Sequence, residues 1–409
     1  MKKIISILLM LILLSSCTLA KNDLSIAATS AEPKEETQKA EENKAITKAI
    51  WINFNELSMK NLSGGNEQQF RQKAEEMVNN IKDFGLNTII MQVRPFSDAL
   101  YKSDIFPYSS YLTGTQGQKV DYDPLAIMIE IAKKSGISVE AWINPYRVLL
   151  SNNFDLLADS NPAKKWHNEQ KDENLIILPN GIFYNPCSKD AQKLIIDGVR
   201  EIVKNYDVSA IHLDDYFYPS TDEAIDKIGY EAYLSEGGHM SLSDWRRENV
   251  NAVISGIYTA IKSIKKDVKL TISPSGDIAK NRDNLYADVE KWCSEKGYID
   301  TIMPQLYYGF NNSSKPFEET AKEWIGIIKN DNIKICFGLS FYKSDKEDAY
   351  AGEGKNEWIE QNDICSRQVT FLKGLTKYDG FSIFSYSHLF SEKRSENVNK
   401  EYNYLKNVV

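Results

Sequence analysis

The sequence predicts an α/β protein, a (β/α)8 TIM-type barrel with long loops after strands two, three and four. Short β-branched runs alternate with longer amphipathic stretches, and the alternation recurs about eight times. Strands alternating with helices imply a parallel sheet, and about eight such units suggest closure into a barrel. An open doubly wound sheet is the runner-up. It would bring a glycine-rich phosphate loop after its first strand, and Ile52-Asn53-Phe54-Asn55-Glu56 holds no glycine.

The N-terminus comes first. Residues 1–20 read as a signal peptide: Lys2 and Lys3 form a positive region, and the apolar run 4–14 is too short to span a bilayer. It ends in Leu14-Ser15-Ser16-Cys17, the shape of a bacterial lipobox, which predicts cleavage before Cys17 and acylation of that residue. The alternative is an ordinary secretory signal cut nearer Ala20. The stretch 21–46, rich in Glu, Lys, Ala, Ser and Thr, buries too little apolar surface to fold and is expected to be a flexible tether. The barrel is then assigned to 47–409.

Strands are expected at 49–54, 88–93, 138–143, 209–213, 269–273, 301–304, 333–338 and 380–384. Amphipathic stretches lie near 66–84, 124–135, 190–206, 242–264, 284–295, 315–329, 360–375 and 392–407. Ser188, Ser243-Asp244 and Asp123-Pro124 supply helix start signals. The loops after strands two, three and four (94–123, 144–187, 214–241) are long and rich in aromatic and polar residues, which predicts a groove on one side of the barrel mouth.

A formal charge of −8 argues against nucleic acid as a partner. Beyond Cys17, the cysteines are Cys187, Cys293, Cys336 and Cys365, scattered and without metal-ligand spacing. One or two disulfides would suit an exported protein, but small buried hydrophobes are the favoured reading. The four histidines form no HExxH pattern, so neither a metal nor another cofactor is expected.

Period-two alternation sorts the strands into faces. In strand four, Ile211, Leu213 and Asp215 share the helix-facing side, while His212 and Asp214 point into the barrel mouth. The same sorting turns inward Asn53, Asn55, Gln92, Arg94, Glu140, Asn144, Thr271, Ser273, Gln305 and Tyr307. So many polar groups are costly to bury unless they pair with each other or with a ligand, and a hydrogen-bonding sugar site accounts for them.

Seven motifs occur in order: Gln92-Val93-Arg94-Pro95, Asp98-Ala99-Leu100-Tyr101, Trp142-Ile143-Asn144-Pro145-Tyr146-Arg147, Asp214-Asp215-Tyr216-Phe217-Tyr218-Pro219, Trp245-Arg246-Arg247, Ile272-Ser273-Pro274 and Pro304-Gln305-Leu306-Tyr307. Together they resemble the glycosyl-hydrolase-like 10 lipoproteins over nearly the whole chain after the tether. The resemblance implies a TIM-type barrel, a glycosidase role, and bacterial cell-wall glycan as substrate: peptidoglycan strands, including strands stripped of peptides. The segment Ile211-His212-Leu213-Asp214 also echoes the strand-four signature of family 18 chitinases. Tyr216 stands where those enzymes carry a Glu, which disfavours their substrate-assisted chemistry.

Glycoside hydrolysis uses two carboxyl groups flanking the scissile bond. Asp214, inward at a strand end, is the expected ionised partner. Asp215, on the other face, is expected to anchor the next loop or a neighbouring ligand residue. Asp98 is the first choice for proton donor, or else a turn residue; Glu56 and Glu140 follow, with Glu140 expected to pair with Arg94 or His212. Arg94, Asn144, Tyr146, Arg147, His212, Gln305 and Tyr307 are expected to bind substrate, and Tyr216 to stack on a sugar face. Against the cell-wall glycosidase stand a barrel that only binds wall polysaccharide and a glycosidase for another exopolysaccharide.

Overall fold

The computed structural model describes residues 46–62 and 64–409. The leader, the lipobox cysteine Cys17 and the tether up to residue 45 lie outside the described residues. Eight parallel strands form a closed barrel in sequential order: β1 (Thr47–Ile52), β2 (Thr88–Arg94), β3 (Ser138–Ile143), β4 (Ala210–Leu213), β5 (Lys269–Ile272), β6 (Thr301–Ile302), β7 (Lys334–Leu339) and β8 (Tyr378–Ile383). β8 returns to β1 with Gly380 opposite Thr47. The open doubly wound alternative is thereby excluded. β6 is the shortest strand because Pro304, which has no N–H to give, follows almost at once.

Most helices form where the apolar periodicity placed them, but the stretch expected near 284–295 is helical only over Val289–Ser294, and Lys227–Ser235 and Ile278–Asp283 form outside the expected stretches. Local chemistry sets the ends. Asn66 and Gln69 form a reciprocal capping box ahead of Glu67–Phe84, which Gly85 ends at φ 95°. Asp123 caps Pro124–Lys134 and Ser188 caps Lys189–Asn205. The cap of Leu242–Ile264 is Ser241, accepting from the Asp244 N–H, rather than Ser243. The main core lies between the strands and these helices. A second, small apolar cluster fills the barrel interior: Ala49, Trp51, Ile90, Trp142, Met303 and Cys336. Gly338 leaves the space that Trp51 occupies, since a Cβ there would lie 2.9 Å from the indole.

The long loop after β3 is not irregular throughout. Arg147–Leu149, Leu175–Leu178 and Gly181–Tyr184 form an antiparallel three-stranded sheet beside the barrel mouth. Cys187, Cys293, Cys336 and Cys365 are all free thiols, the last three buried. Among the described residues no helix is long and apolar enough to cross a membrane.

Candidate active site

A cavity of about 380 Å³ opens at the C-terminal ends of the strands, where loops from several strands meet. Its apolar lining comes from Trp51, Phe54, Trp142, Tyr216, Tyr307, Tyr342 and Phe384. Its polar lining comes from Asn53, Asn55, Gln92, Arg147, Asp214, Asp215, Ser273 and Gln305. Two carboxyl groups therefore face one cavity.

Asp214 is 3% exposed. Its Oδ2 accepts from Trp142 Nε1 at 3.1 Å, Asn144 Nδ2 donates to both oxygens at 3.3 Å, and the Tyr216 N–H reaches Oδ1 at 3.3 Å. Burial, and then the neighbouring Asp215 charge, push its carboxyl up to about 7. The Arg147 guanidinium and the hydrogen bonds from Tyr216 and Trp142 pull the other way. Asp215 accepts from Gln305 Nε2 at 3.3 Å, and burial raises its carboxyl as well.

The expectation that Asp215 faces away from Asp214 is corrected. β4 ends at Leu213, so strand alternation no longer governs the next two residues and both line the cavity. Gln305 holds Asp215 while donating to the Ser273 carbonyl at 3.0 Å. Arg147 lines the cavity as expected, its guanidinium 4.8 Å from the Phe96 ring centre and 4.7 Å from that of Tyr216. Tyr216, 54% exposed, and Tyr307 also stand where the sequence put them.

Other expectations fail on geometry. Asp98 does not meet Asp214: it lines a separate cavity, where Gln116 donates to its Oδ2. Arg94 faces the helix layer. A bulge at Val93 pairs Arg94 with the outward Ile143 instead of an inward residue, and its guanidinium lies over Phe106 at 4.6 Å against Gly198. Tyr146 is buried in the main core, because the chain has left β3 by then. Glu56 is not at the cavity. It accepts from the Ser385 hydroxyl and the Ser387 N–H, tying the loop after β1 to the loop after β8.

Glu140, His212 and Asn144 lie beneath the cavity rather than on it. His212 Nδ1 meets Glu140 at 3.2 Å, and its Nε2 meets Ser273 Oγ at 2.9 Å and Trp51 Nε1 at 3.3 Å. Indole N–H can only donate, so Nε2 accepts and Nδ1 carries the proton toward Glu140. Asn144 holds Asp214 and accepts from the Arg147 N–H at 3.1 Å, so it positions both.

Trp51 and Trp142, the aromatic floor, were missed. Each shares parity with residues assigned inward, Asn53 and Glu140, so the alternation carried the signal. Tyr342 sits beyond a strand end and had none, whereas Phe384 closed the expected strand 380–384 and was not sorted to a face. Among the described residues no group of three or more His, Cys, Asp or Glu could hold a metal ion.

A closed parallel barrel with a carboxylate and aromatic cavity at the C-terminal strand ends defines a TIM-barrel protein. The catalytic domain of a β-amylase from Paenibacillus polymyxa superposes with a TM-score of 0.54 at 10% identity, covering 89% of this chain and 99% of that one. An α-L-fucosidase from Paenibacillus thiaminolyticus gives 0.53 at 13% identity, over 88% of this chain and 49% of that one. At such identities the likeness is one of fold. The sequence places the chain more closely: residues 47–352 match glycosyl hydrolase-like 10, and the chain belongs to that family. It is 33% identical over 351 residues to glycosyl hydrolase YngK of Bacillus subtilis, covering 80% of this chain. It is 32% identical over 296 residues to glycosyl hydrolase DigH of Escherichia coli K12, covering 67% of this chain. In both cases the match spans 66% of the relative's length.

Proposed function

We propose that the protein is a glycoside hydrolase of bacterial cell-wall glycan, cleaving peptidoglycan strands with Asp214 and Asp215, and held at the extracytoplasmic membrane face by a lipid on Cys17. The observation that carries the chemistry is the pairing of two carboxyl groups in one aromatic-floored cavity, with one of them pushed up to about 7. A pair whose surroundings keep one member protonated near neutral pH suits acid and base roles. Asp214 is then the proton donor to the leaving oxygen, the reverse of the role expected from sequence. Asp215, held by Gln305, is the ionised partner that activates water or stabilises the cationic transition state. The exposed Tyr216 ring offers a face to a sugar, with Trp51 and Trp142 beneath as an apolar floor, and Arg147 offers a cation to the sugar's carboxylate or acetamido group. The wall glycan is supported by the family membership and by the lipobox-like Leu14-Ser15-Ser16-Cys17.

The test is release of reducing ends from purified, peptide-free peptidoglycan strands. Asp214→Asn is expected to lower the rate at least about 10²-fold, since proton transfer by a placed group contributes that much, with strand binding retained. Wild type that binds strands but releases no ends overturns catalysis and leaves a wall-binding barrel. Activity confined to a plant or capsular polysaccharide overturns the wall assignment. The anchor is checked separately: Cys17→Ala should move the protein from the membrane to the soluble fraction.

A further inference from the structure

The second cavity, about 490 Å³, adjoins the first. Phe54 and Arg147 line the central cavity, and Phe96 and Tyr111 line the second. Phe54 meets Phe96 at 5.5 Å and Tyr111 at 4.4 Å between ring centres, and Arg147 lies over Phe96. One shared wall of rings and a guanidinium thus separates two adjoining stretches of cavity.

The second stretch has features that packing alone leaves unexplained. Asp98 is 1% exposed; Gln116 donates to its Oδ2, the Ser109 hydroxyl and the Ser110 N–H approach the carboxyl, and Oδ1 has no hydrogen-bond partner of ordinary geometry. A buried acceptor left unpaired is costly, and a ligand donor would satisfy it. Burial pushes this carboxyl up to about 6. At the rim, Leu150 and Leu156 are 60% and 58% exposed, two apolar side chains on one cavity edge. Aromatic rings, one orphaned acceptor and an apolar rim are the chemistry that holds an N-acetylated sugar: ring faces on the aromatics, a methyl on the leucines, a hydroxyl or amide N–H on the acid.

We propose that this cavity is a binding subsite for the sugars next along the same glycan strand, with Asp98 Oδ1 accepting a hydrogen bond from a sugar hydroxyl or acetamido N–H. The inference rests on the glycan reading of the central cavity. It gives Asp98 a binding role in place of the catalytic one expected from sequence.

The experiment measures affinity by calorimetry for peptide-free peptidoglycan oligosaccharides of two, four and six sugars, in the Asp214→Asn protein so that none is cleaved. Affinity is expected to rise at least tenfold with length. Adding Asp98→Ala, or Leu150→Ser with Leu156→Ser on the exposed rim, is expected to reduce that rise to under threefold. The rim variants guard against a folding defect at the buried acid, and thermal melts of each protein confirm it is folded. A rise with length that survives both changes overturns the subsite and leaves the central glycan site standing. No binding at any length overturns the glycan reading itself, and the subsite with it.

Discussion

At the scale of single residues, the proton on Asp214 decides what the cavity can do. Its carboxyl sits up to about 7 because burial disfavours the charge and because Asp215 already supplies one beside it. Removing the neighbouring charge makes ionisation easier, so Asp215→Asn should lower the Asp214 midpoint. Removing a donor to the ionised form should do the opposite, so Trp142→Phe should raise it. Carboxyl carbon NMR of Asp-labelled protein reads both shifts, and a midpoint that moves the other way in either variant refutes the account. The same pair shows how far sequence reached. Asp214 was legible because an inward carboxylate at a strand end needs a reason. Asp215 was not, since period two holds only while the chain is extended and β4 stops at Leu213. Arg94 was misplaced for a related cause: a one-residue bulge shifts parity, and nothing in Gln92-Val93-Arg94 announces it.

At the scale of elements, buried ionic and capping contacts hold the loops that build the mouth. Arg246, on Leu242–Ile264, donates from Nε to Asp226 at 2.9 Å, and also to the Asp222 carbonyl at 2.7 Å and the Tyr286 hydroxyl at 2.9 Å. Both charged side chains are fully buried. The pair pins the loop after β4, which carries Asp214 to Tyr218, onto its following helix. Asp226→Ala leaves a buried cation without its partner and should cost about 3–5 kcal/mol. Urea unfolding reads this as a lower midpoint with an unchanged slope, and a loss below about 1 kcal/mol would show the pair is dispensable. All eight barrel strands were legible to within a few residues, because each carries four or more β-branched or apolar positions or a firm boundary. The sheet of Arg147–Leu149, Leu175–Leu178 and Gly181–Tyr184 was not. Strands of three or four residues hold too little periodicity to separate from loop.

At the scale of the whole molecule, the carboxyls raised by burial should make stability depend on pH in a definite direction. Asp98 stands at about 6, and Asp214 and Glu401 at about 7. Glu401 is buried where it accepts the Ile364 and Cys365 N–H groups at the start of Ile364–Leu372. Each of these groups has a folded pKa above its unfolded one, so near pH 5 the folded chain holds more protons than the unfolded chain. Their contribution is fully present below about pH 4, and it is lost as pH rises through 6 and 7, on the order of several kcal/mol in all. Opposing groups exist: Asp207, Asp244 and Asp283 are held below the usual range by basic partners. These aspartates sit at the surface, where water screens the pairs, and their contribution changes with pH only below about pH 4. The His388 imidazole, held below its usual value by burial, is one pull the other way between about pH 5 and 7. The net charge of −8 at neutral pH adds repulsion in the same direction as the buried acids. Thermal melts are therefore expected to give a Tm several degrees higher at pH 5 than at pH 8. Glu401→Gln, which removes one titrating group while keeping an acceptor at the helix start, should flatten part of that slope. A Tm that is level or rising from pH 5 to 8 would mean that the three buried carboxyls ionise without resistance. The proton placed on Asp214 for catalysis would then have no basis in its burial.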